Sequence, residues 1–336
     1  MKIASVGERY GTNNDEPLLF FATEHVLGRS SADKFEFVHI DFFGRTKRVV
    51  PKVDVSRPAP IVNTYSLAQR RFYHWYYLRL FRDVDLVIIM GAGTLKWHVR
   101  LDFGPRYQAV LEVAKWYGIP CVVSCVGVES PYVESDRRCR RFARILSDSG
   151  FKIITTRDDL STLRQYVKNP KTEVAHIADV GVWASETYAV KRDVKSEVVG
   201  LGIICYRRFA EYSRHISKEE YERAVIDIIH AFETCGTKWK FFCNGDVEDV
   251  AYEKDLCERL GYSLHDYMCK PPESPEELVR LISSFKGVIT SRLHSCIVSY
   301  SLKIPFIAIV WNEKLNFFAR DIGYPERAIN KDRLTA

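Results

Sequence analysis

Residues 287–300 of this 336-residue chain are Gly-Val-Ile-Thr-Ser-Arg-Leu-His-Ser-Cys-Ile-Val-Ser-Tyr. The apolar run at 287–290 predicts a buried strand, and the spacing of apolar residues over 293–300 predicts a helix. Ser291 lies between them and is the predicted N-cap, because its hydroxyl can accept a hydrogen bond from a backbone N–H of the first turn. A strand, a tight turn and a helix in succession favour an α/β fold.

The same turn predicts a site for a small anion. Arg292 and His294 are expected in the first helical turn, where unpaired N–H groups and the positive end of the helix dipole favour a phosphate or a carboxylate. His294 adds a side chain that exchanges a proton near neutral pH. The alternative interpretation is a surface arginine and a capped histidine in the core.

The pattern of strand and helix recurs along the whole chain. Short apolar runs alternate with stretches of helical periodicity, which is typical of α/β architecture. A polar join at 190–197 separates two such series. The sequence therefore predicts two Rossmann-like, doubly wound domains, residues 1–192 and 193–336.

Composition excludes several classes of protein. Hydrophobic residues make up 46% of the chain, but every apolar run is shorter than the roughly 20 residues that a membrane-spanning helix needs. The first residues carry no hydrophobic signal segment, so we expect a cytoplasmic protein. The nine cysteines form no CxxC pair, which predicts free thiols and no metal site. A net charge of +6 is too small to indicate a nucleic-acid-binding protein.

One basic cluster stands out from this balance. Its arginines are interleaved with Phe142, Ile145 and Leu146 at helical spacing and are Arg137, Arg138, Arg140, Arg141 and Arg144. The first interpretation is a solvated helix face. The second is peripheral contact with anionic lipid head groups at the inner face of the membrane.

Charged side chains follow several predicted strands in the second half. They are Arg207 and Arg208, Asp246, Arg292 with His294, and Lys314. Because the carboxyl ends of parallel strands meet at one edge of a sheet, we expect these groups to share a site. Arg207, Arg292 and Lys314 together would neutralise a multiply charged anion, whereas the alternative for each is a solvent-facing charge.

The first half offers weaker candidates. Gly93 and Thr94 belong to a glycine-rich segment, Gly91 to Thr94, which predicts a turn that a ligand can approach closely. Other polar residues follow predicted strands and could contact sugar hydroxyls or stabilise helix N-termini; they are Asn14, Asp15, Glu16, Arg157 and Asp159.

Four stretches together resemble one family. GVITSRLHSCIVSYSLKIPFIAIVWNEKLNFFARDIG (287–323) resembles the C-terminal signature of the polysaccharide pyruvyl transferase family. VGERYGTNNDEPLL (6–19), DLVIIMGAGTL (85–95) and TTRDDLS (155–161) are similar to its first turn, its Asp-led strand and its Arg-Asp turn. The resemblance runs from Lys2 to Gly323.

The resemblance implies a GT-B-like fold, in which two Rossmann-like domains enclose an interdomain cleft. The N-terminal domain would hold the acceptor and the C-terminal domain the donor. The implied reaction moves pyruvate from phosphoenolpyruvate onto two hydroxyls of a sugar, as a cyclic ketal, in cell-surface polysaccharide biosynthesis. Phosphoenolpyruvate is then a substrate, and no cofactor is implied.

The resemblance also implies roles for single residues. Arg292, Leu293 and His294 match the family's donor-binding Arg-Leu-His, and Arg207 resembles its second donor-binding arginine, with Arg208 as a close competitor. Arginines suit the phosphate and the carboxylate of phosphoenolpyruvate. His294 is the candidate acid that protonates the enol carbon, and Arg292 would stabilise the departing phosphate.

The general base and the acceptor stay open at this point. Asp15, Glu16 and Asp159 are candidates for the base. The acceptor sugar and its carrier, including a lipid carrier, are not determined, and neither is the oligomeric state. Two other functions fit the same scaffold: a nucleotide-sugar-dependent GT-B glycosyltransferase and a non-catalytic glycan-binding protein.

Overall fold

The computed structural model describes residues 1–11, 13–31, 34–47, 67–97, 102–213 and 215–330. They form two compact units, each with its own parallel sheet. Residues 1–11, 19–47 and 67–180 belong to the first unit, and residues 13–18 and 181–330 to the second. The polar, proline-containing stretch at 44–61 is predicted from the sequence to be a loop, and most of it lies outside the described residues.

The first unit contains a six-stranded sheet in the order β2-β1-β3-β4-β5-β6, with every pair parallel. Its strands are β1 (Lys2–Gly7), β2 (Glu36–Asp41), β3 (Leu86–Leu95), β4 (Cys121–Val128), β5 (Phe151–Thr156) and β6 (Glu173–His176). The chain winds outward from β1 in both directions, so the switch point of this sheet lies between β1 and β3.

Helices connect these strands, as parallel pairing requires. They are α1 (Asp15–Ser30), α2 (Leu67–Leu80), α3 (Gly104–Trp116), α4 (Arg137–Leu146) and α5 (Leu160–Tyr166). In α4 the side chains of Phe142, Ile145 and Leu146 are buried. The apolar face predicted beside the arginine cluster is therefore confirmed as core packing.

The glycine-rich segment Gly91 to Thr94 is not a turn, contrary to the prediction. It continues β3 as far as Leu95 and stays paired with β4 through a shift in register. A side chain at Gly91 would meet the carbonyl oxygen of Cys125 at 2.4 Å, so glycine is required there for the two strands to approach. The missing β-carbons serve strand packing at this point.

The second unit contains a five-stranded parallel sheet in the order β11-β10-β9-β7-β8. Its strands are β7 (Val199–Gly202), β8 (Trp239–Phe241), β9 (Gly287–Thr290), β10 (Phe306–Val310) and β11 (Ala328–Asn330). The first strand, β7, lies between the second and the third, β8 and β9. The switch point is therefore at β7 and β9, where ligands of such sheets bind.

The helices of this unit begin at well-defined caps. They are α6 (Ala184–Thr187), α7 (Tyr206–Tyr212), α8 (Lys218–Thr234), α9 (Val247–Arg259), α10 (Leu264–Tyr267), α11 (Pro275–Ser283), α12 (Leu293–Ser301) and α13 (Glu313–Asp321). Ser217 and Glu220 form a reciprocal capping box at α8. Ser274 caps α11, but Glu277 accepts from the backbone of Glu273 and not from that of Ser274.

The chain passes from one unit to the other at Val180 and Gly181, twelve residues before the predicted boundary. The reason is packing that the polar composition of 190–197 does not reveal. Ala184 and Val190 are buried in the core of the second unit, and the backbone N–H of Ser185 donates to the hydroxyl of Ser301 on α12 at 2.8 Å. Helix α6 is thus held by the second sheet's own helices.

Each unit has a large apolar core of its own. Within the described part of the chain, no helix is both long enough and apolar enough to cross a bilayer. The predicted α/β class, with two doubly wound parallel sheets, is confirmed.

Candidate functional site

Three strand ends of the second sheet meet at its switch point. Strand β7 leads to Arg207 and Arg208, strand β8 leads to Asp246, and strand β9 leads to Arg292. An ion pair joins groups from two of these strand ends, since Arg292 after β9 contacts Asp246 after β8 at 3.3 Å. The predicted gathering of charged residues at one sheet edge is thus present in the second unit.

Arg292, and not Ser291, is the N-cap residue of α12. Its backbone is extended, its side chain makes no capping bond, and the helix starts at Leu293. The backbone N–H of Arg292 donates to the Thr290 hydroxyl at 3.1 Å. The N-cap prediction for Ser291 was wrong because Ser291 is buried and its backbone N–H bonds to Gly202 of β7. The position still places the Arg292 side chain at the sheet edge.

The guanidinium of Arg292 is held by two carboxylates of α9 and its N-cap. Nε donates to Asp249 Oδ2 at 2.6 Å, and Nη2 lies 2.5 Å from the same oxygen and 3.3 Å from Asp246 Oδ2. The Arg292 side chain keeps 12% of its surface exposed, whereas that of Asp249 has none. Burial opposes the charge, but Asp249 and Asp246 outweigh it and hold the pKa of Arg292 well above its ordinary value.

Asp249 and Glu253 form a buried carboxyl pair one helical turn apart on α9. Asp249 Oδ1 accepts from the backbone N–H of Cys205 at 2.9 Å, and Glu253 Oε1 accepts from that of Ile203 at 3.1 Å. Both residues therefore fasten α9 to the end of β7. Burial raises the pKa of Asp249 to about 7, although Arg292 opposes the shift. Burial and the neighbouring Asp249 also raise the pKa of Glu253 well above its ordinary value.

His294 lies in a second polar group, beside Asp15 and Asn244. His294 Nδ1 is 3.4 Å from Asp15 Oδ2, and Asn244 Nδ2 donates to Asp15 Oδ1 at 2.5 Å. The Ser295 hydroxyl donates to Asn244 Oδ1. Burial raises the pKa of Asp15, but His294, Arg292 and Asn244 more than offset it and bring the pKa to about 2. The carboxylate at Nδ1 fixes the orientation of the imidazole ring.

The short segment 13–18 belongs to the second unit, although it follows a strand of the first sheet. The Asn14 side chain donates to the backbone oxygens of Asn244 at 3.0 Å and Pro272 at 2.8 Å, and Leu18 is part of the second core. Asn14 and Asp15, expected on the acceptor side, therefore lie among the predicted donor residues. Glu16 follows them in the first turn of α1.

Arg207 and Arg208 share one carboxylate. Arg207 Nη2 pairs with Glu248 Oε1, and Arg208 Nε contacts Glu248 Oε2 at 3.2 Å. The two arginine side chains are 24% and 30% exposed, so both reach the surface of the site. Burial opposes a charged Arg208, but Glu248 and Asp246 raise its pKa above the ordinary value.

Leu293 and Lys314 differ in their surroundings. Leu293 is buried in the second core, where it anchors the start of α12. Lys314 lies in the first turn of α13, after β10, and its Nζ is 5.1 Å from the centre of the Trp311 ring. The Trp311 ring nitrogen donates to the carbonyl oxygen of Ser291 at 2.7 Å. The end of β10 is thereby joined to the turn that carries Arg292.

In the first unit, Gly93 and Thr94 have structural roles. A side chain at Gly93 would meet Glu129 Oε1 at 2.0 Å, so the glycine makes room for that glutamate. The Thr94 hydroxyl is buried and hydrogen-bonded to the Tyr107 hydroxyl at 2.7 Å. Thr94 is therefore tied to the core beneath the sheet edge.

Arg157 and Asp159 are also engaged within the first unit. Arg157 Nη1 pairs with Asp179 Oδ2 at 2.5 Å, and the two side chains are 4% and 2% exposed. Asp159 caps α5 through bonds from the backbone N–H groups of Ser161 and Thr162. These bonds, with those from the two hydroxyls, overcome burial and lower the pKa of Asp159 to about 2.

The arginines of α4 pair locally in part. Arg141 pairs with Asp102, Arg138 contacts Asp136 at 3.2 Å, and Arg140 donates to the backbone at Glu134 and Ser135. These bonds favour the interpretation as a solvated helix face.

Several site residues were missed from the sequence: Asn244, Glu248, Asp249, Glu253 and Ser295. Asp246, Asp249 and Glu253 do recur at helical spacing, which could have indicated three carboxyls on one side of α9. Acidic residues at the start of a helix are usually explained by the helix dipole. For this reason Asp249 was not recognised from the sequence as a partner of Arg292.

A cavity of about 410 Å³ lies elsewhere in the second unit, at the amino end of β10. Its lining includes Tyr300, Lys303, Tyr324 and Arg327, and none of the predicted site residues.

Comparison with known proteins agrees with the architecture and with the sequence motifs. The profile of the family described as polysaccharide pyruvyl transferase matches residues 38–313. A search of curated protein sequences gives no match.

Solved structures are similar in fold at low identity. The UDP-GlcNAc 2-epimerase of Methanocaldococcus jannaschii, in complex with UDP-GlcNAc and UDP, is 14% identical, with a TM-score of 0.55 over 100% of this chain and 91% of that one. MnaA of S. aureus, solved with UDP, is 9% identical, with a TM-score of 0.56 over 99% of this chain and 86% of that one. The likeness shows that the fold is GT-B-like, as predicted.

Proposed function

Because the chain belongs to the polysaccharide pyruvyl transferase family, we propose that it transfers pyruvate from phosphoenolpyruvate to two hydroxyls of a sugar. The product is a cyclic ketal and the second product is inorganic phosphate. The observation that carries the proposal is the position of His294 and Arg292 at the start of α12, with Asp15 at His294 Nδ1.

The donor fits the charges of the site. Phosphoenolpyruvate has a phosphate and a carboxylate within a few bonds of each other, and a planar guanidinium binds either of them with paired hydrogen bonds. Among the described residues, the carboxylates of α9 and its N-cap contact the Nε and Nη2 side of Arg292. Nη1 then donates to the donor phosphate. Arg207 and Arg208, at the neighbouring strand end, take the other acidic group.

His294 acts as the general acid in the first step. It gives a proton to the methylene carbon of the enol, which becomes a methyl group, and positive charge develops on the carbon that carries the phosphate oxygen. Asp15 lies beside Nδ1 and orients the imidazole for that transfer. The pKa of Asp15, lowered to about 2, keeps this carboxylate ionised near neutral pH.

Two sugar hydroxyls complete the reaction. The first hydroxyl attacks the cationic carbon, and its proton returns to the neutral His294. The second hydroxyl forms the other carbon–oxygen bond while the bond to phosphate breaks, and its proton leaves with the phosphate. Arg292 stabilises the charge that accumulates on the departing phosphate. Asp15 is bound to His294 and Asn244, so in this proposal it supports the acid and is not a separate base.

The primary test is binding of phosphoenolpyruvate measured by isothermal calorimetry. We expect micromolar affinity for the intact protein and a loss of about 100-fold or more in Arg292→Ala, since a charge-assisted pair contributes about 3 kcal/mol. Arg280→Ala is the matched control, because Arg280 forms an exposed pair with Glu276 on α11. Arg292→Lys keeps a positive charge beside Asp249 but loses the planar guanidinium that makes paired hydrogen bonds. This variant should fold and bind the donor weakly, which separates an effect on folding from an effect on anion recognition.

The outcome also decides between functions. UDP-GlcNAc is titrated in parallel. Binding of the nucleotide sugar without binding of phosphoenolpyruvate would contradict the proposal and favour a nucleotide-sugar glycosyltransferase. Donor binding is then followed by phosphate release with free, nucleotide-linked and lipid-linked sugars as acceptors. Donor binding without turnover on any such acceptor would favour a non-catalytic glycan-binding protein. The expected product is heavier than the acceptor by pyruvate less one water.

A further inference from the structure

The donor site is electrically balanced before any donor binds. Among the described residues, three guanidiniums of this site form ion pairs with three carboxylates: Arg207, Arg208 and Arg292 with Glu248, Asp246 and Asp249. This inference rests on the proposed function, in which the same three arginines bind phosphoenolpyruvate. A bound phosphate carries about −1.5 to −2 charges near pH 7, and the donor's carboxylate adds another. The arginines are therefore already neutralised when the donor arrives.

A site in which every arginine already pairs with a carboxylate binds a multiply charged anion poorly unless something compensates the added charge. The site must lose a carboxylate charge or gain a proton, since an excess of negative charge in a low-dielectric region is strongly unfavourable. The question is which carboxyl group changes its charge.

The geometry distinguishes the three acids. Glu248 bridges Arg207 and Arg208 and has 11% of its side chain exposed, so solvent and two cations stabilise its charge. Asp246 caps α9 through the backbone N–H of Glu248, and its charge interacts with Arg208 as well as with Arg292, so it keeps a cation when Arg292 turns away.

Asp249 is different from both of them. Its side chain is fully buried, Oδ1 receives one backbone N–H, and Oδ2 has Arg292 as its charged partner. If Arg292 turns toward a phosphate, Asp249 Oδ2 loses the interaction that stabilises its charge. The structure offers no other cation to replace it among the partners described for that oxygen.

We propose that Asp249 positions the Arg292 guanidinium in the empty site and takes up a proton from solvent when the anionic donor binds. The proton goes to Oδ2, the oxygen that Arg292 vacates in part, while Oδ1 continues to accept from Cys205. The Arg292–Asp249 pair changes from neutral to singly positive. No electron transfer and no further reactant is involved.

The surroundings of Asp249 support this assignment. Burial raises its pKa to about 7, and repulsion from Asp246 adds to the shift, while Arg292 opposes it. An anion beside Arg292 would raise the pKa further, because like charges disfavour ionisation. At pH 8 the empty site therefore holds Asp249 mostly ionised, and the occupied site holds it protonated.

The other titratable groups that face Asp249 are Arg292, Asp246, Glu253, Cys205, Cys243 and Tyr221. The thiols and the phenol stay protonated at pH 8: burial raises the pKa of Cys205 to about 12 and those of Cys243 and Tyr221 well above their ordinary values. Burial and the neighbouring Asp249 raise the pKa of Glu253 well above its ordinary value, which favours its neutral form. Asp249 is thus the carboxyl whose charge can change in this range.

The test is calorimetric titration of the whole protein with phosphoenolpyruvate at pH 8 in buffers that differ in ionisation enthalpy. At this pH the donor phosphate, with a second pKa of about 6, is fully ionised and does not contribute to the measured proton uptake. We expect uptake of roughly one proton per donor bound, and a dissociation constant that rises about tenfold per pH unit above pH 7.5. An intact protein that binds the donor with no net proton uptake would overturn the inference.

Two neutralising variants on α9 form a matched pair. Asp249→Asn should lose the proton uptake and bind the donor with little pH dependence between pH 7.5 and 8.5. Glu258→Gln neutralises an exposed carboxyl of the same helix, which pairs with Lys254, so uptake and pH dependence should match those of the intact protein. If uptake persists in Asp249→Asn, another group, such as His294, is responsible and the inference is wrong.

The two levels of proposal fail in different ways. No binding of phosphoenolpyruvate by the intact protein contradicts the proposed function. Binding that does not depend on proton uptake at Asp249 contradicts only this inference. If Asp249→Asn does not fold, Asp246→Asn supplies the second measurement: it leaves one carboxylate beside Arg292, so uptake at pH 8 should fall below that of the intact protein.

Discussion

Arg157 and Arg292 occupy equivalent places in two parallel sheets, yet their surroundings differ. Arg157 follows β5 and pairs with Asp179, and the two side chains are 4% and 2% exposed. Arg292 follows β9, keeps 12% exposure, and faces both Asp249 and Asp246. The buried Arg157–Asp179 pair leaves neither side chain accessible to a ligand. Arg292 is partly exposed and contacts two carboxylates, so it can exchange one of these contacts for a ligand. Strand-end position alone therefore does not distinguish a binding arginine from a structural one.

The same contrast extends to the other polar residues at the two sheet edges. In the first unit, Thr94 is bonded to Tyr107, and Asp159 is used as a helix cap. In the second unit, His294 and Asp15 are buried against each other at the start of α12. The first edge uses these side chains within its own fold, whereas the second brings together charged side chains that pair with one another.

The largest effect is expected from breaking the buried ion pair between Arg157 and Asp179. Arg157→Met should destabilise the first unit by about 3–5 kcal/mol, because it leaves Asp179 buried without its cation. The double variant Arg157→Met/Asp179→Leu should recover most of that loss. Denaturant unfolding of the single and double variants measures both numbers. The corresponding double variant at the second edge, Arg292→Met/Asp249→Asn, should fold but not bind phosphoenolpyruvate. If that variant still binds the donor, Arg292 is a structural residue like Arg157.

The next effect concerns the proposed acid at the second edge. His294→Gln should lower kcat by about 10²–10⁴-fold, the usual contribution of a positioned acid, while donor affinity changes only a few-fold. Steady-state phosphate release and calorimetry separate the two quantities. His230→Gln on the exposed side of α8 is the control. Equal losses in kcat and in donor affinity would show that His294 binds the donor but does not transfer the proton.

A smaller effect tests Asp15 through the pH dependence of stability. Its folded pKa of about 2 lies below the ordinary 3.8, so its ionised form stabilises the fold above pH 4, and this contribution is lost as the pH falls toward 2. A shift of this size corresponds to about 2 kcal/mol. The difference in unfolding free energy between the intact protein and Asp15→Asn should therefore shrink between pH 5 and pH 2. A difference that stays constant over that range would show that the charge of Asp15 does not stabilise the second unit.

The smallest effect is expected at the first edge. Asp159→Ala removes the cap of α5 and should cost about 1 kcal/mol of stability, with kcat unchanged within a factor of two to three. Ser161→Ala removes only the hydrogen bond from the Ser161 hydroxyl to Asp159 and should destabilise the protein less than Asp159→Ala. A large loss of kcat at unchanged stability would return Asp159 to the list of candidate bases.

Much of the site was predictable because strand ends are visible in the sequence. The apolar run before Ser291 and the helical spacing after it place Arg292 and His294 at a sheet edge, and the structure agrees. The partners of Arg292 were not predictable in the same way. Asp249 lies 43 residues earlier in the chain, and acidic residues at the start of α9 have an ordinary explanation in the helix dipole.

The segment around Asp15 shows the limit most clearly. Its sequence predicts a helix start after the first strand, and α1 does begin there. That Asn14 and Asp15 bond to Asn244 in the second unit depends on contacts between residues about 230 positions apart, which no local pattern encodes.

The sequence by itself determined the α/β class, the positions of the strand ends, the family and the candidate roles of Arg292 and His294. These follow from periodicity, turn chemistry and short motifs, which act over a few residues. The tertiary structure alone decided which arginines are sealed, which carboxylates face them, and which unit holds Asp15. Burial and pairing set the charge of a side chain, and both depend on residues that are distant in the chain and adjacent only after folding.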